Sequence, residues 1–313
     1  MEKLFCLFFI FLLTSNRCFA NSKNISGAVP AKKGQFPFFV QLDLIYIENQ
    51  KEISLKCSAT LIHWKWILTA ALCFPKREKT RKQIQADELG LVFMGPKLRY
   101  GRFSKSDVIK EIHIHPLYLQ NKQYKEKQLI SSNNIAVAML KKGFKQSKYV
   151  DKIFLPAQDS YSMLNECRIG VVVGIDRVNR TEYIIYAATE IQLSQERDIL
   201  QKTSDTQFYS KLAFEGGSGG PYFCNRPHHG KAVPVQYGIV LSPTNLTSFM
   251  IFESLYKHLD FISTYVKEVQ LVENNTKYNI KTRSSIKATS GCSTNNYVSF
   301  LYELVLVLFQ FIY

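Results

Sequence analysis

Short apolar runs alternate with polar or turn-rich stretches from about residue 34 to residue 269. Several of these runs are rich in Val, Ile, Phe and Tyr and are bounded by charged or turn-forming residues, which is the pattern of β-strands. The clearest runs are FPFFVQLDLIYI (36–47), KWILTAAL (65–72), IAVAML (135–140), CRIGVVVG (167–174) and VQYGIVL (235–241). The pattern therefore predicts an all-β domain.

Long amphipathic helices are scarce in this sequence. The best candidate is ESLYKHLDFISTYVKEV (253–269), in which Leu255, Leu259, Ile262 and Val266 recur at helical spacing. We therefore expect one C-terminal helix to close the β domain.

The N-terminus has the form of a targeting signal. After Met1-Glu2-Lys3, the run LFCLFFIFLL is apolar, and the small residues Cys18 and Ala20 flank Phe19. This pattern predicts a secretory signal peptide over residues 1–20, cut after Ala20. The apolar run is too short to cross a membrane core of ~30 Å.

The composition changes beyond residue 270. Residues 271–297 are polar and basic and predict a linker, whereas residues 298–313 are apolar up to the terminus. The stretch ATSGCST from Ala288 supplies the small residues that precede the hydrophobic tail of a GPI-anchor signal. Two alternatives remain open: a tail-anchored helix, and a hydrophobic terminus that packs on the domain or has no role.

The formal net charge is +15 and the isoelectric point is near 9.4, which favours association with acidic surfaces. Nucleic acid is excluded as a partner, because the chain has a secretory signal and lacks zinc-finger, RNP-like and P-loop motifs. The segment 121–128 is basic, and the segment 76–82 concentrates five positive charges that could contact an anionic glycan or lipid surface, or simply be solvated. These five residues are Lys76, Arg77, Lys79, Arg81 and Lys82.

Two of the seven cysteines leave with the signal, and Cys292 lies near the C-terminus. Four body cysteines in an oxidising compartment predict two disulfides. No CxxC motif or His/Cys cluster indicates a metal, and no motif indicates a cofactor. The sequence also contains N-glycosylation sequons at Asn24, Asn179, Asn245 and Asn274.

Several stretches in series resemble the trypsin-like (chymotrypsin-fold, peptidase S1) serine protease family over residues 25–269. They are ISGAVPAKKGQFPFFVQL, CSATLIHWKWILTAALC, NNIAVAML, CRIGVVVG and GGSGGPYFC. The resemblance implies two six-stranded antiparallel β-barrels and a C-terminal helix within residues 21–270. It also implies the bridges Cys57–Cys73 and Cys167–Cys224, whereas the family bridge beside the nucleophile has lost both cysteines, one of them to Phe214.

Acyl transfer by a serine needs a general base, and behind it an acceptor that holds the base in the right tautomer. The resemblance places Ser218 at the nucleophile position, Leu72 at the base position and Asn134 at the position of the orienting aspartate. Leucine has no lone pair that could accept a proton, and an amide stabilises an imidazolium poorly. Ser218 therefore lacks a base at the position that the family provides.

Other positions of the family pattern also carry residues that do not support catalysis. Gly216 could still present an oxyanion-hole N–H, but Gly217 stands where the family has the carboxylate that orders this loop. The sequon at Asn24 occupies the activation-cleavage site. Leu212 stands at the base of the specificity pocket, and Pro243 lacks an N–H for pairing with an extended substrate.

Five histidines outside the motif are expected to be strand or surface residues and not substitute bases: His63, His113, His115, His228 and His229. The glycines of GGSGGP are expected to be kept because a tight turn needs positive φ and close packing.

The resemblance therefore implies a secreted or surface-tethered serine protease homologue without catalysis, which acts by binding active proteases, inhibitors or receptors. Two alternatives remain open. One is a serine endopeptidase with weak or unconventional activity through Ser218, and the other is a structural surface protein.

Overall fold

The computed structural model describes residues 28–48, 51–74, 90–95, 105–118, 132–157, 166–178, 181–192, 207–210, 217–241 and 250–272. All of them belong to the first of two units, Met1–Asn274, and the second unit, Asn275–Tyr313, lies outside the described residues. The predicted signal peptide, the basic segments 76–82 and 121–128, the four sequons and the hydrophobic tail also lie outside the described residues.

The first half of the described chain forms a closed six-stranded barrel in the order β2-β3-β4-β7-β6-β5, and every neighbouring pair is antiparallel. A short strand, β1 (Val29–Pro30), precedes it. The barrel strands are β2 (Phe39–Glu48), β3 (Lys51–His63), β4 (Trp66–Thr69), β5 (Gly90–Met94), β6 (Lys105–Ile114) and β7 (Ala136–Leu140).

The second half forms a sheet in the order β1-β10-β11-β14-β13-β12-β9. Because β9 also pairs with β10, the six strands from β10 to β9 close on themselves, and β1 adds to β10 from outside. These strands are β9 (Ile169–Val178), β10 (Thr181–Gln192), β11 (Gln207–Ser210), β12 (Pro221–His228), β13 (Lys231–Val240) and β14 (Met250–Ser254). The prediction of two six-stranded antiparallel barrels is confirmed.

The predicted helix over 253–269 is wrong in its bounds. Glu253 and Ser254 belong to β14, residues Leu255–His258 form a 3₁₀ turn, and the α-helix, α1, spans only Leu259–Tyr265. The periodic apolar residues of this segment are all buried, so the pattern indicated burial correctly, but pairing of β14 with β11 and β13 decides its first residues. No helix in the described part of the chain is long and apolar enough to cross a membrane.

A two-residue strand extends the domain beyond the predicted start of the linker. Strand β15 (Leu271–Val272) pairs in parallel with β8 (Leu155–Pro156), and Val272 is buried. The connection that contains β8 bonds to both barrels, since Ile153 N–H donates to a carbonyl of β3 and Phe154 N–H to a carbonyl of β13. This connection therefore helps to fix one barrel against the other.

The face of β2 that is turned away from the barrel core is polar and yet buried. Gln41 and Asp43 alternate with buried leucines, and Gln41 Nε2 donates to Glu182 Oε2 of β10 over 2.9 Å. Lys56 of β3 forms an ion pair with the same Glu182. These contacts join β2 and β3 of the first barrel to β10 of the second, and loss of Glu182 would leave the buried Gln41 Nε2 without one of its partners, which is costly.

Candidate active site

The turn that carries Ser218 consists of Gly217–Gly220. The N–H of Gly220 donates to the carbonyl of Gly217 over 2.7 Å, and Gly219 has a φ of +83°. Ser218 is partly buried, whereas the three glycines are buried. A positive φ in this position is readily adopted by glycine, so the turn depends on the sequence GSGG.

Hydrogen bonds from both barrels hold this turn. The carbonyl of Ser218 accepts from Ser58 N–H of β3 over 2.7 Å. On the other side, Gly219 N–H donates to the Val240 carbonyl (2.7 Å), and Val240 N–H donates to the Gly220 carbonyl (2.8 Å). The serine therefore lies where the two barrels meet.

The glycine at position 219 is also needed for space. A Cβ on Gly219 would lie 2.2 Å from the Ser58 carbonyl oxygen and 2.2 Å from Thr69 Oγ1, which themselves share a hydrogen bond of 2.8 Å. The expectation that the turn glycines serve backbone conformation and packing agrees with this geometry.

The structure brings the predicted base and orienting positions together. Leu72 lies in a single 3₁₀ turn, Ala71–Cys73, directly after β4. Its backbone N–H donates to Asn134 Oδ1 over 2.9 Å. Asn134 is only 1% exposed and stands just before β7, whereas Leu72 is partly buried and packs against the core of the first barrel.

A disulfide connects this turn to the strand beneath Ser218. Cys57 and Cys73 form a bridge with a Cα–Cα distance of 6.0 Å, and Cys73 Sγ lies 3.9 Å from the Ser218 carbonyl oxygen. In the second barrel, Cys167 and Cys224 are bridged as well. Both predicted disulfides are confirmed, and the first one holds the segment of Leu72 against the segment of Ser218.

One comparison with known proteins decides the family. A family model described as Trypsin matches residues 25–245, which is more than half of the chain. The chain belongs to the trypsin family. Disulfides of the kind found here are typical of proteins from oxidising compartments.

Two positions that the trypsin-family resemblance singled out, Gly216 and Leu212, lie outside the described residues, as does Pro243. Leu241, the last described residue before that proline, is fully buried, and its N–H donates to the Ile251 carbonyl over 2.8 Å.

The five histidines named from the sequence make contacts away from the Gly217–Gly220 turn. His63 ends β3, 3.9 Å from Glu268, and burial, followed by the charge of Lys152, lowers its pKa. The ring of His113 lies 3.8 Å from that of Tyr265.

His228 and His229 belong to the hairpin between β12 and β13, not to a free loop, with ring centroids 4.1 Å apart. In the described residues no three His, Cys, Asp or Glu side chains come together as a metal site.

A sixth histidine, His258, was missed from the sequence, because it lies inside the predicted helix 253–269 and belongs to no motif. It is 1% exposed, and its Nε2 lies 2.7 Å from Oε1 of the fully buried Glu253. Gln207 Nε2 donates to the other oxygen of Glu253 over 3.1 Å. His115 packs on this cluster, and burial, followed by the proximity of His258, lowers its pKa.

The cluster of Glu253 and His258 has the two groups of a carboxylate–imidazole dyad, but almost none of its surface is exposed to solvent. A buried pair of this kind needs its partners to offset desolvation, and it gives no access to a substrate. We therefore assign it to packing between β14, the 3₁₀ turn Leu255–His258 and β11.

The packing of Gly219 leads to a stability prediction. We expect Gly219→Ala to lower the free energy of unfolding by about 3 kcal/mol or more, because its Cβ would overlap a backbone oxygen and the Thr69 hydroxyl. The matched control is Gly230→Ala, which has a φ of +74° and no atom within 4 Å of the added Cβ. That control should lose only about 1 kcal/mol, from backbone strain alone.

Denaturant unfolding of the two variants with intact disulfides provides the measurement. Equal losses at positions 219 and 230 would show that contact with the first barrel does not explain the glycine.

Proposed function

We propose that the chain is a catalytically inactive member of the trypsin family that acts outside the cell by binding other proteins. The observation that carries this proposal is the hydrogen bond from Leu72 N–H to Asn134 Oδ1, next to the disulfide that holds the Ser218 turn. The resemblance aligns these two positions with the catalytic base and its orienting carboxylate.

The chemistry of the leucine side chain supports loss of catalysis. A serine hydroxyl at its ordinary pKa becomes a useful nucleophile only when a neighbouring group takes its proton. A hydrocarbon side chain cannot do so, and removal of the base from a serine protease lowers kcat on the order of 10⁶-fold. Ser218 in this chain therefore behaves as an ordinary hydroxyl.

Asn134 has a structural role that explains its retention without catalysis. Its buried Oδ1 satisfies the N–H of Leu72 in a 3₁₀ turn whose N-cap residue, Ala70, makes no side-chain capping bond. An unsatisfied buried N–H would cost about 1–3 kcal/mol. The amide thus stabilises the turn whether or not a base is present.

The Ser218 turn is also held without the family's ion pair. Gly217 has no side chain, and the turn uses backbone bonds to Gly220, Ser58 and Val240. These bonds keep the loop folded at the junction of the barrels. A surface that only binds another protein needs such a fixed shape, but it does not need a group that transfers protons. The expected partners are active proteases, their inhibitors or receptors, which bind folds of this kind.

The extracellular part of the proposal is supported by sequence features and by the two disulfides. Residues 1–20 have the pattern of a signal peptide, and the sequons at Asn24, Asn179, Asn245 and Asn274 suit a glycoprotein. The hydrophobic tail 298–313 adds attachment to the outer face of the plasma membrane, with a GPI anchor as the proposed form.

The competing function is a serine endopeptidase with weak or unconventional activity, which the partly exposed Ser218 favours. We expect the mature secreted protein to release the same fragments from a broad peptide library as its Ser218→Ala variant, because no base activates the hydroxyl. Mass spectrometry of the library identifies the fragments produced by each of the two proteins. Fragments that appear only with the wild type would establish the competing function.

Binding is tested by capture with the same pair of proteins. We expect photo-crosslinking in extracellular fluid or on cell surfaces to recover a defined protein partner equally with wild type and Ser218→Ala, because the proposed contact requires no nucleophile. Recovery of no partner by either protein would favour a structural role. Recovery by the wild type alone would indicate a covalent serine intermediate and contradict the proposal.

A further inference from the structure

Eight lysines occupy three segments that are far apart in the sequence: the loop 31–37, the hairpin turn 64–65 and the connection 141–152. Asp151 is the only acidic residue in these segments. We call the set the lysine surface. Its members are Lys32, Lys33, Lys65, Lys141, Lys142, Lys145, Lys148 and Lys152.

The loop 31–37 and the connection 141–152 meet at Tyr149. The Nζ of Lys33 lies 5.2 Å from the centroid of this ring and the Nζ of Lys148 lies 5.8 Å from it. A Cβ on Gly34 would lie 2.8 Å from the same ring, so the loop packs directly on it. The N–H of Asp151 also donates to the Pro37 carbonyl over 2.9 Å.

The hairpin turn meets the same connection from the other side. The carbonyl of Trp64 accepts from Phe144 N–H, and the carbonyl of Lys65 accepts from Leu140 N–H, both over 2.8 Å. The side chain of Lys65 lies against Gly143, since a Cβ there would be 2.8 Å from Lys65 Cγ. Lys152 Nζ lies 4.8 Å from the Trp64 ring. The three segments therefore form one surface.

Two carboxylates of this region, Asp107 and Asp151, accept hydrogen bonds from backbone N–H groups. Asp107 is buried and accepts from Lys142 N–H (3.1 Å) and Gly143 N–H (2.6 Å). Asp151 accepts from Lys152 N–H and from Gln146 Nε2. Both acids thus shape the connection 141–152, in which Lys142, Lys145 and Lys148 are exposed.

Two of the lysines lie close enough to His63 to influence it. His63, at the end of β3, has its pKa lowered first by burial and then by the charge of Lys152, with Lys65 acting in the same direction. The opposing carboxylate is Glu268, which contacts His63 at 3.9 Å and is largely exposed. This end of β4 is opposite to the one that leads into the 3₁₀ turn of Leu72.

We propose that the lysine surface binds a linear sulfated polysaccharide, as a second interaction site at the far end of β4 from Ser218. A row of sulfate groups along a flexible chain matches exposed ammonium groups spread over three segments, because such contacts need charge and no deep pocket. This site would attach the protein to an extracellular glycan. Its function does not depend on the proposed binding of other proteins.

The same surface suits a membrane or a nucleic acid less well. The large exposed hydrophobic residues in the described part of the chain lie outside its segments, so it has no group to insert between lipids: Val29, Leu91, Leu117, Ile169, Tyr183 and Leu271. The rings of Tyr149 and Trp64 are in contact with lysine ammonium groups, which leaves them poorly placed to stack on bases.

The test compares two triple variants of the secreted protein on immobilised heparin. The surface variant is Lys142→Gln with Lys145→Gln and Lys148→Gln. The control is Lys105→Gln with Lys231→Gln and Lys257→Gln, three exposed lysines of other segments. Both remove three charges from the formal net charge of +15.

We expect the surface variant to lose about tenfold in affinity for heparin at physiological salt, since it removes three exposed charge contacts that are each weak on their own. The control should lose about twofold or less, because screening limits the effect of distant charges. Equal losses of affinity in both variants would show that heparin binding depends on net charge alone, and would overturn the proposal. Unchanged circular dichroism confirms that both variants are folded.

Two further arms separate the alternatives. In the first arm, the basic residues of segment 76–82 are neutralised in both triple variants. We expect the surface variant still to bind heparin more weakly than the control. If the two then bind equally, the glycan site lies in segment 76–82 and the proposal is wrong. Vesicles containing phosphatidylserine and a duplex DNA oligonucleotide serve as competing anions. Tighter binding to either one than to heparin at equal salt would contradict the glycan assignment.

Discussion

The contact between the Gly217–Gly220 turn and the first barrel is the constraint on which the junction of the barrels depends. Gly219 lies so close to the Ser58 carbonyl and the Thr69 hydroxyl that any side chain would overlap them. The same turn bonds to Val240 in the second barrel. Backbone geometry and close packing therefore explain Gly219 and Gly220, whether or not Ser218 takes part in a reaction.

A second feature, found at both ends of β4, is that a buried polar side chain accepts hydrogen bonds from backbone N–H groups. Asn134 satisfies the N–H of Leu72, and Asp107 satisfies two N–H groups at the start of the connection 141–152. The Cys57–Cys73 bridge then holds the Leu72 turn beside Ser218. At the junction, the Asn134 amide, backbone hydrogen bonds and this disulfide together hold the Leu72 turn and the Ser218 turn in place.

Much of this fold could be predicted from the sequence, because strand runs and cysteine motifs are local signals. The helix 253–269 was predicted too long, since its apolar period is compatible with the strand that Glu253 and Ser254 join. Glu253 and His258 are only five residues apart, but their burial depends on distant partners, Gln207 and His115, and could not be predicted. The lysine surface could not be predicted either, because it depends on contacts between segments distant in the sequence. The roles of positions 72 and 134 followed only from the family resemblance, and the hydrogen bond between Leu72 N–H and Asn134 Oδ1 was not predicted.

Reaction with a fluorophosphonate probe tests the central claim most directly, because such a probe labels an activated serine without needing a matched substrate pocket. We expect the mature protein and its Ser218→Ala variant to incorporate the probe equally, at background level, while an active trypsin-family protease in the same tube is labelled. Labelling of the wild type that disappears in Ser218→Ala would contradict the account, since it would require a base that activates this hydroxyl.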